Sequence, residues 1–413
     1  MTPTSFPKSE IKVVLLEGIH EAAAEAFRAE GFDVRTHKGA MSTPELLEAA
    51  GDAHLVGIRS KTRLEPEFFA GASRLLGVGC FCIGTNQVAL ASSRDACVPV
   101  FNAPFSNTRS VAELTIAELV VLSRKVGDRS REMHEGVWQK SAAGSHEIRG
   151  MTLGIVGYGH IGSQVSVLAE AMGLRVVFFD VVPKLALGNA VALGSLEELL
   201  EVSDAVTLHV PATAATKDLI GAAELARMKP GAMLINNSRG SVVDVRALAL
   251  AIGEGRLGGA AVDVFPEEPK LSGEGFESAL RGLPNVFLTP HIGGSTEEAQ
   301  ANIGRDVSSK LLKFVNNGST TGAVNVPEVD LPGQRSVDGT RSHRILHFHK
   351  NEPGVLAAIH GTISEAGVNV LGEYLQTDRE LGYVVLDVDP SHGREALERL
   401  GQIAQTVRTR ELW

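Results

Sequence analysis

Runs of β-branched and aliphatic residues alternate with stretches of helical periodicity along almost the whole chain. IKVVLLEG, beginning at Ile11, reads as a buried strand, EAAAEAFRAEG as a helix that stops at Gly31, and HLVGIRS, LLGVGC and VPVFNAP as further strands. A second series runs through MTLGIVGYGHIG, RVVFFD, AVTLHVP, GAMLINNSRG, GAAVDVF and NVFLTPHIGG. Strands that are apolar throughout and separated by helices are covered on both faces, the pattern of a parallel α/β sheet. Two doubly wound parallel sheets are therefore expected, one Rossmann-like and one flavodoxin-like.

The stretch Ser110 to Arg129, SVAELTIAELVVLSRKVGDR, has a serine at its start, Glu113 at capping-box spacing and apolar residues at helical intervals. It predicts a helix long enough to join two domains. TEEAQANIGRDVSSKLLKFVNNG, from Thr296, predicts a second helix that returns the chain to the first domain. The second unit is thus expected as an insertion: residues 1–107 and 294–338 form one domain and 108–293 the other. From Val326 to His343 the sequence turns polar with scattered Gly and Pro, a linker. RILHFH, PGVLAAIHGTISEAG, VNVLGEYLQT, GYVVLDV, GREALERLGQI and TVRTRELW then spell βαββαβ, a ferredoxin-like domain over 339–413.

At 413 residues the chain is too long for one ordinary core, which agrees with several domains. A formal charge of -10 argues against nucleic acid as a partner, because a phosphate-binding face needs clustered Lys and Arg. Any anionic ligand must be met by a local basic pocket. Cys80, Cys82 and Cys97 are an odd number, as in a reduced compartment, and GVGCFCIG lacks metal-ligand spacing, so these residues are expected to pack and no metal site is expected. The N-terminal apolar run is only IKVVLL, and no later run nears the ~20 apolar residues of a membrane span. A soluble, cytoplasmic protein without membrane partners is expected.

Gly157, Gly159 and Gly162 form a G-x-G-x-x-G between the strand TLGIVG and the helix HIGSQVSVLAEAMG. Three glycines there allow the tight turn, the approach of a pyrophosphate to the backbone and close helix–strand contact, with the anion at the positive helix end. Asp180 ends the next strand, RVVFFD. Its carboxylate accepts from ribose hydroxyls and repels a 2'-phosphate, which favours NAD over NADP.

NNSRGSVVD, VDVFPEEP and TPHIGGST lie at strand ends of the same unit and contribute Arg239, Glu268 and His291. Hydride transfer to a 2-oxo acid needs a cation for the carboxylate and carbonyl, and a group to deliver the proton. Arginine offers a planar fork of permanent charge, histidine titrates near neutrality, and a carboxylate beside it orients the ring and favours the imidazolium. Taken singly, each has an ordinary structural reading: Arg239 as a helix cap, Glu268 as a solvated loop acid, His291 as a turn residue. Arg59, Ser60 and Asn102 stand at strand ends of the first unit, where open α/β sheets meet their ligands.

Together GYGHIG, NNSRGSVVD, DVFPEEP and TPHIGGST resemble the D-2-hydroxyacid dehydrogenase family, and the resemblance covers the whole chain. It implies an NAD-dependent oxidoreductase with His291 as acid/base, Glu268 as its partner and Arg239 as the carboxylate anchor. Tyr158, His160, Ile161, His209, Pro211, Ser238, Asp263, His291 and Gly294 are the further cofactor-contacting positions it implies. GCFCIGTNQV, FNAPFSNTRSVAELTIAELV and GVWQKSAAGSHEIRG resemble the branch that oxidises 3-phospho-D-glycerate to 3-phosphooxypyruvate, the entry to L-serine synthesis. For that branch Arg59, Ser60 and Asn107 are implied substrate contacts and Lys38 a phosphate contact, while Trp138 and Lys140 reach a neighbouring subunit's site. A homotetramer is implied.

The C-terminal unit resembles an ACT domain, an amino-acid-sensing module, with His349, Asn351 and Asn369 matching the positions that bind serine. Relatives carry a Gly-Gly pair before this domain, whereas here Gly333 and Gly339 stand apart. Two rival readings share these residues: another 2-hydroxyacid dehydrogenase activity, including 2-oxoglutarate reduction, and an NAD-sensing binding protein of the same fold. The basic pocket around Lys38, Arg59 and Lys140 speaks against the first, and the intact Arg, Glu and His set against the second.

Overall fold

The computed structural model describes residues 7–269, 273–334, 336–337, 340–389 and 393–412. Its contacts divide the chain into two units, Met1–Ser106 with Gln300–Trp413, and Asn107–Ala299.

In the first unit, β1 (Lys12–Leu15), β2 (Asp33–Thr36), β3 (Leu55–Ile58), β4 (Gly77–Cys80) and β5 (Val100–Asn102) form a parallel sheet of order β2-β1-β3-β4-β5. Alternate residues of β1 serve opposite faces. Val13 and Leu15 join Phe27, Leu311 and Phe314 in one core, and Val14 and Leu16 join Leu46, Val56 and Phe68 in the other. The helix Glu297–Asn317 supplies Leu311 and Phe314 and so covers one face of this sheet. Cys80 lies within β4, and all three cysteines are free; burial pushes the Cys97 thiol up to about 12, which leaves it an inert core group.

The second unit holds β6 (Thr152–Val156), β7 (Arg175–Phe179), β8 (Val191–Ala192), β9 (Ala205–Leu208), β10 (Met233–Asn236), β11 (Gly259–Val262) and β12 (Val286–Leu288). Their order is β12-β11-β10-β9-β6-β7-β8, every pair parallel. The order reverses between β6 and β9, and a crevice opens at the carboxyl ends of strands at such a switch point. Both sheets thus have the doubly wound α/β architecture expected of them.

The connecting segment differs from expectation. One helix from Ser110 to Arg129 is replaced by Thr108–Ser123 and Val126–His134, broken where Lys125 takes a left-handed φ of 53°. The helix begins two residues earlier than Ser110, with Asn107 at its N-cap; Ser110 instead bonds Thr296 across 2.9 Å, and Glu113 pairs with Arg109. A polar SRKVGDR junction continues the amphipathic pattern, so periodicity alone does not register the break.

At the C-terminus, β13 (Ser336–Val337) and β14 (Thr340–Arg341) pair antiparallel. The expected boundary at 338/339, with Gly339, lies outside the described residues. Then β15 (His343–Lys350), β16 (Val370–Thr377), β17 (Leu381–Val388) and β18 (Thr406–Leu412) form an antiparallel sheet of order β16-β17-β15-β18, with helices Val355–Glu365 and Gly393–Leu400 in the βαββαβ sequence. Ile345, Val384 and Leu386 face those helices, whereas Leu346, Phe348, Tyr383 and Val385 pack with Cys97, Val326 and Leu331 of the same unit. Arg344, fully buried, holds both Asp387 oxygens at 2.6 and 2.8 Å and donates to the carbonyls of Asn317 and Pro332 at 3.0 Å each.

Candidate active site

The turn after β6 is shaped by its glycines. Gly157 has a φ of 89°, and a Cβ there would lie 2.5 Å from the His209 carbonyl oxygen; one at Gly162 would lie 2.2 Å from the Gly157 carbonyl oxygen. Neither position tolerates a side chain. A Cβ at Gly159 would meet nothing within 4 Å, so the backbone there faces open space at the start of the helix His160–Ala171. That is the cradle a pyrophosphate requires, and the donor set fits a dinucleotide. Asp180 accepts from the Tyr158 N–H at 2.8 Å and the Val182 N–H at 2.9 Å, which fixes both oxygens and leaves each a further lone pair for ribose hydroxyls.

The other implied cofactor positions divide by exposure. The Tyr158 ring is core, stacked on Phe178 at 3.8 Å with its hydroxyl 2.9 Å from Ser166 Oγ, so its backbone is what the turn presents. His160 is exposed and Ile161 half-buried on the first helical turn. His209 follows β9, its Nε2 3.0 Å from Thr207 Oγ1, and burial pushes its pKa down to about 3, so the ring is neutral. Pro211 is exposed two residues on, and Ser238 is buried with its hydroxyl donating to Asn236 Oδ1 at 2.8 Å.

Arg239, Glu268 and His291 come together at the ends of β10, β11 and β12. His291 Nδ1 lies 2.9 and 3.1 Å from the two Glu268 oxygens, and the Phe265 N–H donates to Glu268 Oε1 at 3.1 Å. The Glu268 hydrogen bond raises the His291 pKa above its ordinary value, against an opposing effect of burial and of the Arg239 charge. Burial pushes the Glu268 carboxyl up, but the bonds from His291 and Phe265 outweigh it and the net shift is downward. Glu268 therefore stays ionised and His291 leans towards imidazolium. Arg239 donates to the Ser238 carbonyl at 2.7 Å, which uses one of its five N–H groups.

Gly240, which motif reading missed, and Asp263, whose hold on the His291 loop no motif announces, support this trio. A Cβ on Gly240 would lie 1.9 Å from the Phe265 carbonyl carbon, so only glycine lets the Arg239 loop rest on the loop bearing Glu268. Asp263, almost fully buried, accepts from Thr289 Oγ1 at 2.6 Å, the Ile292 N–H at 2.8 Å and the Gly293 N–H at 2.7 Å. That carboxylate grips the loop on both sides of His291, whose own φ of 56° is a conformation that persists only under such restraint.

Asn107 joins the same loop. A Cβ on Gly294 would meet Asn107 Nδ2 at 2.3 Å, and Asn107 Oδ1 is buried with no hydrogen-bond partner among the described residues. In the first unit, Arg59 is half-buried after β3, Ser60 and Lys38 are exposed, and Asn102 donates to the Ile83 carbonyl at 2.6 Å. Trp138 is 77% exposed and Lys140 is exposed, on a segment without regular structure. In the C-terminal sheet, His349 is buried against Gly382 and stacked on His347 at 5.4 Å, Asn351 donates to the Asp378 carbonyl at 2.6 Å, and Asn369 is exposed. Among the described residues no cluster of His, Cys, Asp and Glu could hold a metal ion, and no helix is long and apolar enough to cross a membrane.

Residues 116–293 match the family described as D-isomer specific 2-hydroxyacid dehydrogenase, NAD binding domain, and residues 345–408 match the AHAS small subunit-like ACT domain. The chain is 51% identical over 410 residues to the D-3-phosphoglycerate dehydrogenase of Haemophilus influenzae, covering 99% of each chain. It is 50% identical to the enzyme of that name from Escherichia coli, covering all of both. Among solved structures, the NAD complex of a D-isomer specific 2-hydroxyacid dehydrogenase from Lactobacillus delbrueckii ssp. bulgaricus is similar, with a TM-score of 0.68, 26% identity, and coverage of 76% of this chain and 100% of that one.

Proposed function

The chain belongs to the D-3-phosphoglycerate dehydrogenases, a branch of the D-isomer specific 2-hydroxyacid dehydrogenases, and on that premise we propose that Arg239, Glu268 and His291 carry its chemistry. The protein is an NAD-dependent oxidoreductase that converts 3-phospho-D-glycerate to 3-phosphooxypyruvate, the entry to serine synthesis, and it bears a regulatory ACT domain. The observation that carries the assignment of roles is the His291–Glu268 pair at 2.9 Å, with the Arg239 charge close enough to oppose protonation of the imidazole.

Bound NAD supplies a hydride acceptor. His291, neutral when oxidation begins, takes the proton of the 2-hydroxyl, and Glu268 stabilises the imidazolium that results. Arg239 holds the substrate carboxylate in its guanidinium fork and polarises the oxygen of the developing carbonyl. In the reverse direction His291 returns the proton. Gly157, Gly159, Gly162 and Asp180 position the dinucleotide, and Ser238 and His209 close the cofactor side. Lys38, Arg59, Ser60 and Asn107 are assigned to the substrate, Lys38 to its phosphate.

Serine is proposed as the effector of the ACT domain, held by His349, Asn351 and Asn369; two amides and an imidazole match a ligand that has a carboxylate, an amine and a hydroxyl. A homotetramer is proposed as the working assembly, supported by the exposure of Val137 and Trp138, apolar side chains that a second subunit would cover. Purified protein mixed with NADH and 3-phosphooxypyruvate is expected to lose absorbance at the NADH band, and to do so more slowly with added serine. No substrate-dependent loss would contradict the enzymatic reading, and a serine-independent rate would contradict the regulatory one.

A further inference from the structure

The first unit contains a device that holds the two loops to which substrate contacts are assigned. At the end of β1, Glu17 and Gly18 both take a φ of 60°, the left-handed region that a glutamate adopts only where its surroundings hold it. The backbone of this pair reaches one loop: the Glu17 N–H donates to the Gly39 carbonyl at 3.2 Å and the Gly18 N–H to the His37 carbonyl at 3.0 Å, one on each side of Lys38. The Glu17 side chain reaches the other loop. Its Oε1 accepts from the N–H groups of Arg59 at 3.2 Å and Thr62 at 2.8 Å, and its Oε2 from the Lys61 N–H at 3.0 Å, so the three bonds enclose Ser60.

The chemistry is unusual for its place. A carboxylate beside loops that receive a phosphorylated acid repels the ligand unless its charge is already engaged. Here three backbone N–H groups engage it, and only a two-oxygen acceptor takes all three without turning a donor on one of them. Gln87 supports the same loop from the other side, with its Nε2 donating to the Arg59 carbonyl at 2.7 Å.

We propose that Glu17 is a positioning residue for substrate recognition, a single left-handed carboxylate that sets the register of the Lys38 loop and the Arg59–Ser60 loop against each other and so determines affinity for the anionic end of the substrate. The proposal rests on the assignment of Lys38, Arg59 and Ser60 to the substrate. The Glu17 carboxylate acts through the backbone of the Arg59–Thr62 loop, so its effect falls on the substrate KM.

The test is steady-state kinetics of the full-length protein with 3-phosphooxypyruvate and NADH. Glu17→Ala removes both acceptor oxygens and with them all three bonds, and is expected to raise the KM for 3-phosphooxypyruvate by about tenfold or more, with kcat within about twofold and the KM for NADH unchanged. Glu17→Gln keeps an oxygen for Arg59 and Thr62 and presents an NH2 to Lys61, so it recovers part of the loss, to about threefold. If Glu17→Ala does not fold, Glu17→Gln decides alone. A folded Glu17→Gln with KM at the wild-type value, or one whose KM for NADH rises in step, overturns the proposal. Arg59→Ala in the same assay separates the premise: a normal KM there sinks the assignment of the loops, whereas a raised KM there with a normal one in both Glu17 variants sinks the role of Glu17.

Discussion

Asn237 Nδ2 donates to Glu118 Oε2 at 2.6 Å and lies 3.0 Å from Thr115 Oγ1, which ties the residue two before Arg239 to the interior of the helix Thr108–Ser123. Glu118 is almost fully buried, and burial pushes its pKa up to about 8. Burial thus favours its neutral form. A raised folded-state value means that this acid favours folding most below its ordinary pKa of 4.5 and that the contribution is lost as pH climbs through about 8. Glu118→Gln keeps the shape and removes the titration. Thermal melts from pH 6 to 9.5 should fall less steeply for the variant than for the wild type, and parallel curves would show that folding does not raise the Glu118 pKa.

The Glu268 bond raises the His291 pKa, so the two directions of reaction have opposite limbs. Oxidation needs neutral imidazole and should rise with pH through that raised value; reduction needs imidazolium and should fall through it. In Glu268→Gln the imidazole returns towards its unpaired value, and both limbs should move to lower pH while the maximal rate drops. The measurement is kcat/KM against pH in each direction. Limbs that stay in place would assign the titration to another group.

Gly240 permits the contact between two catalytic loops. Gly240→Ala should displace Arg239 from the Glu268 loop, since the added carbon would sit 1.9 Å from a backbone atom of Phe265. We expect kcat/KM to fall by about a hundredfold or more, the scale of a misplaced catalytic group, with NADH binding by fluorescence within twofold of wild type. Near-normal turnover would mean that the loops part without cost to the site.

Arg344 and Asp387 form an ion pair with no exposure at either side chain. Asp387→Asn leaves the guanidinium charge buried against neutral partners alone among the described residues, a change that typically costs about 3–5 kcal/mol. Calorimetry should show a lower melting temperature for the variant, and an unchanged one would contradict the anchoring of this sheet by the buried pair.

Much of this was legible in the chain. Continuous apolar runs such as KVVL and TLGIV announce doubly buried strands, and the glycine spacing after β6 announces its turn, because each signal is local. The break at Lys125 was not, since its residues extend the pattern of the helix before them. Arg239, Glu268 and His291 could be named from their motifs, but what holds them could not. Asp263, a cofactor position implied by the family motifs, also clamps the His291 loop through partners 26 to 30 residues away, which no local motif announces. Glu17, joined to Arg59 and Thr62 at separations of 42 and 45, leaves no periodic trace at all. Glu118 did leave one, as a lone acid in the apolar run TIAELVVL, a polar residue at a core position.

The proton-transfer role of His291 is the claim on which the functional account rests, and one variant tests it most directly. In His291→Ala, turnover of 3-phosphooxypyruvate with NADH should fall by about 10²–10⁴-fold while the Kd for NADH, read by fluorescence, stays within twofold of wild type. Turnover within about threefold of wild type, with NADH bound as tightly, would contradict it.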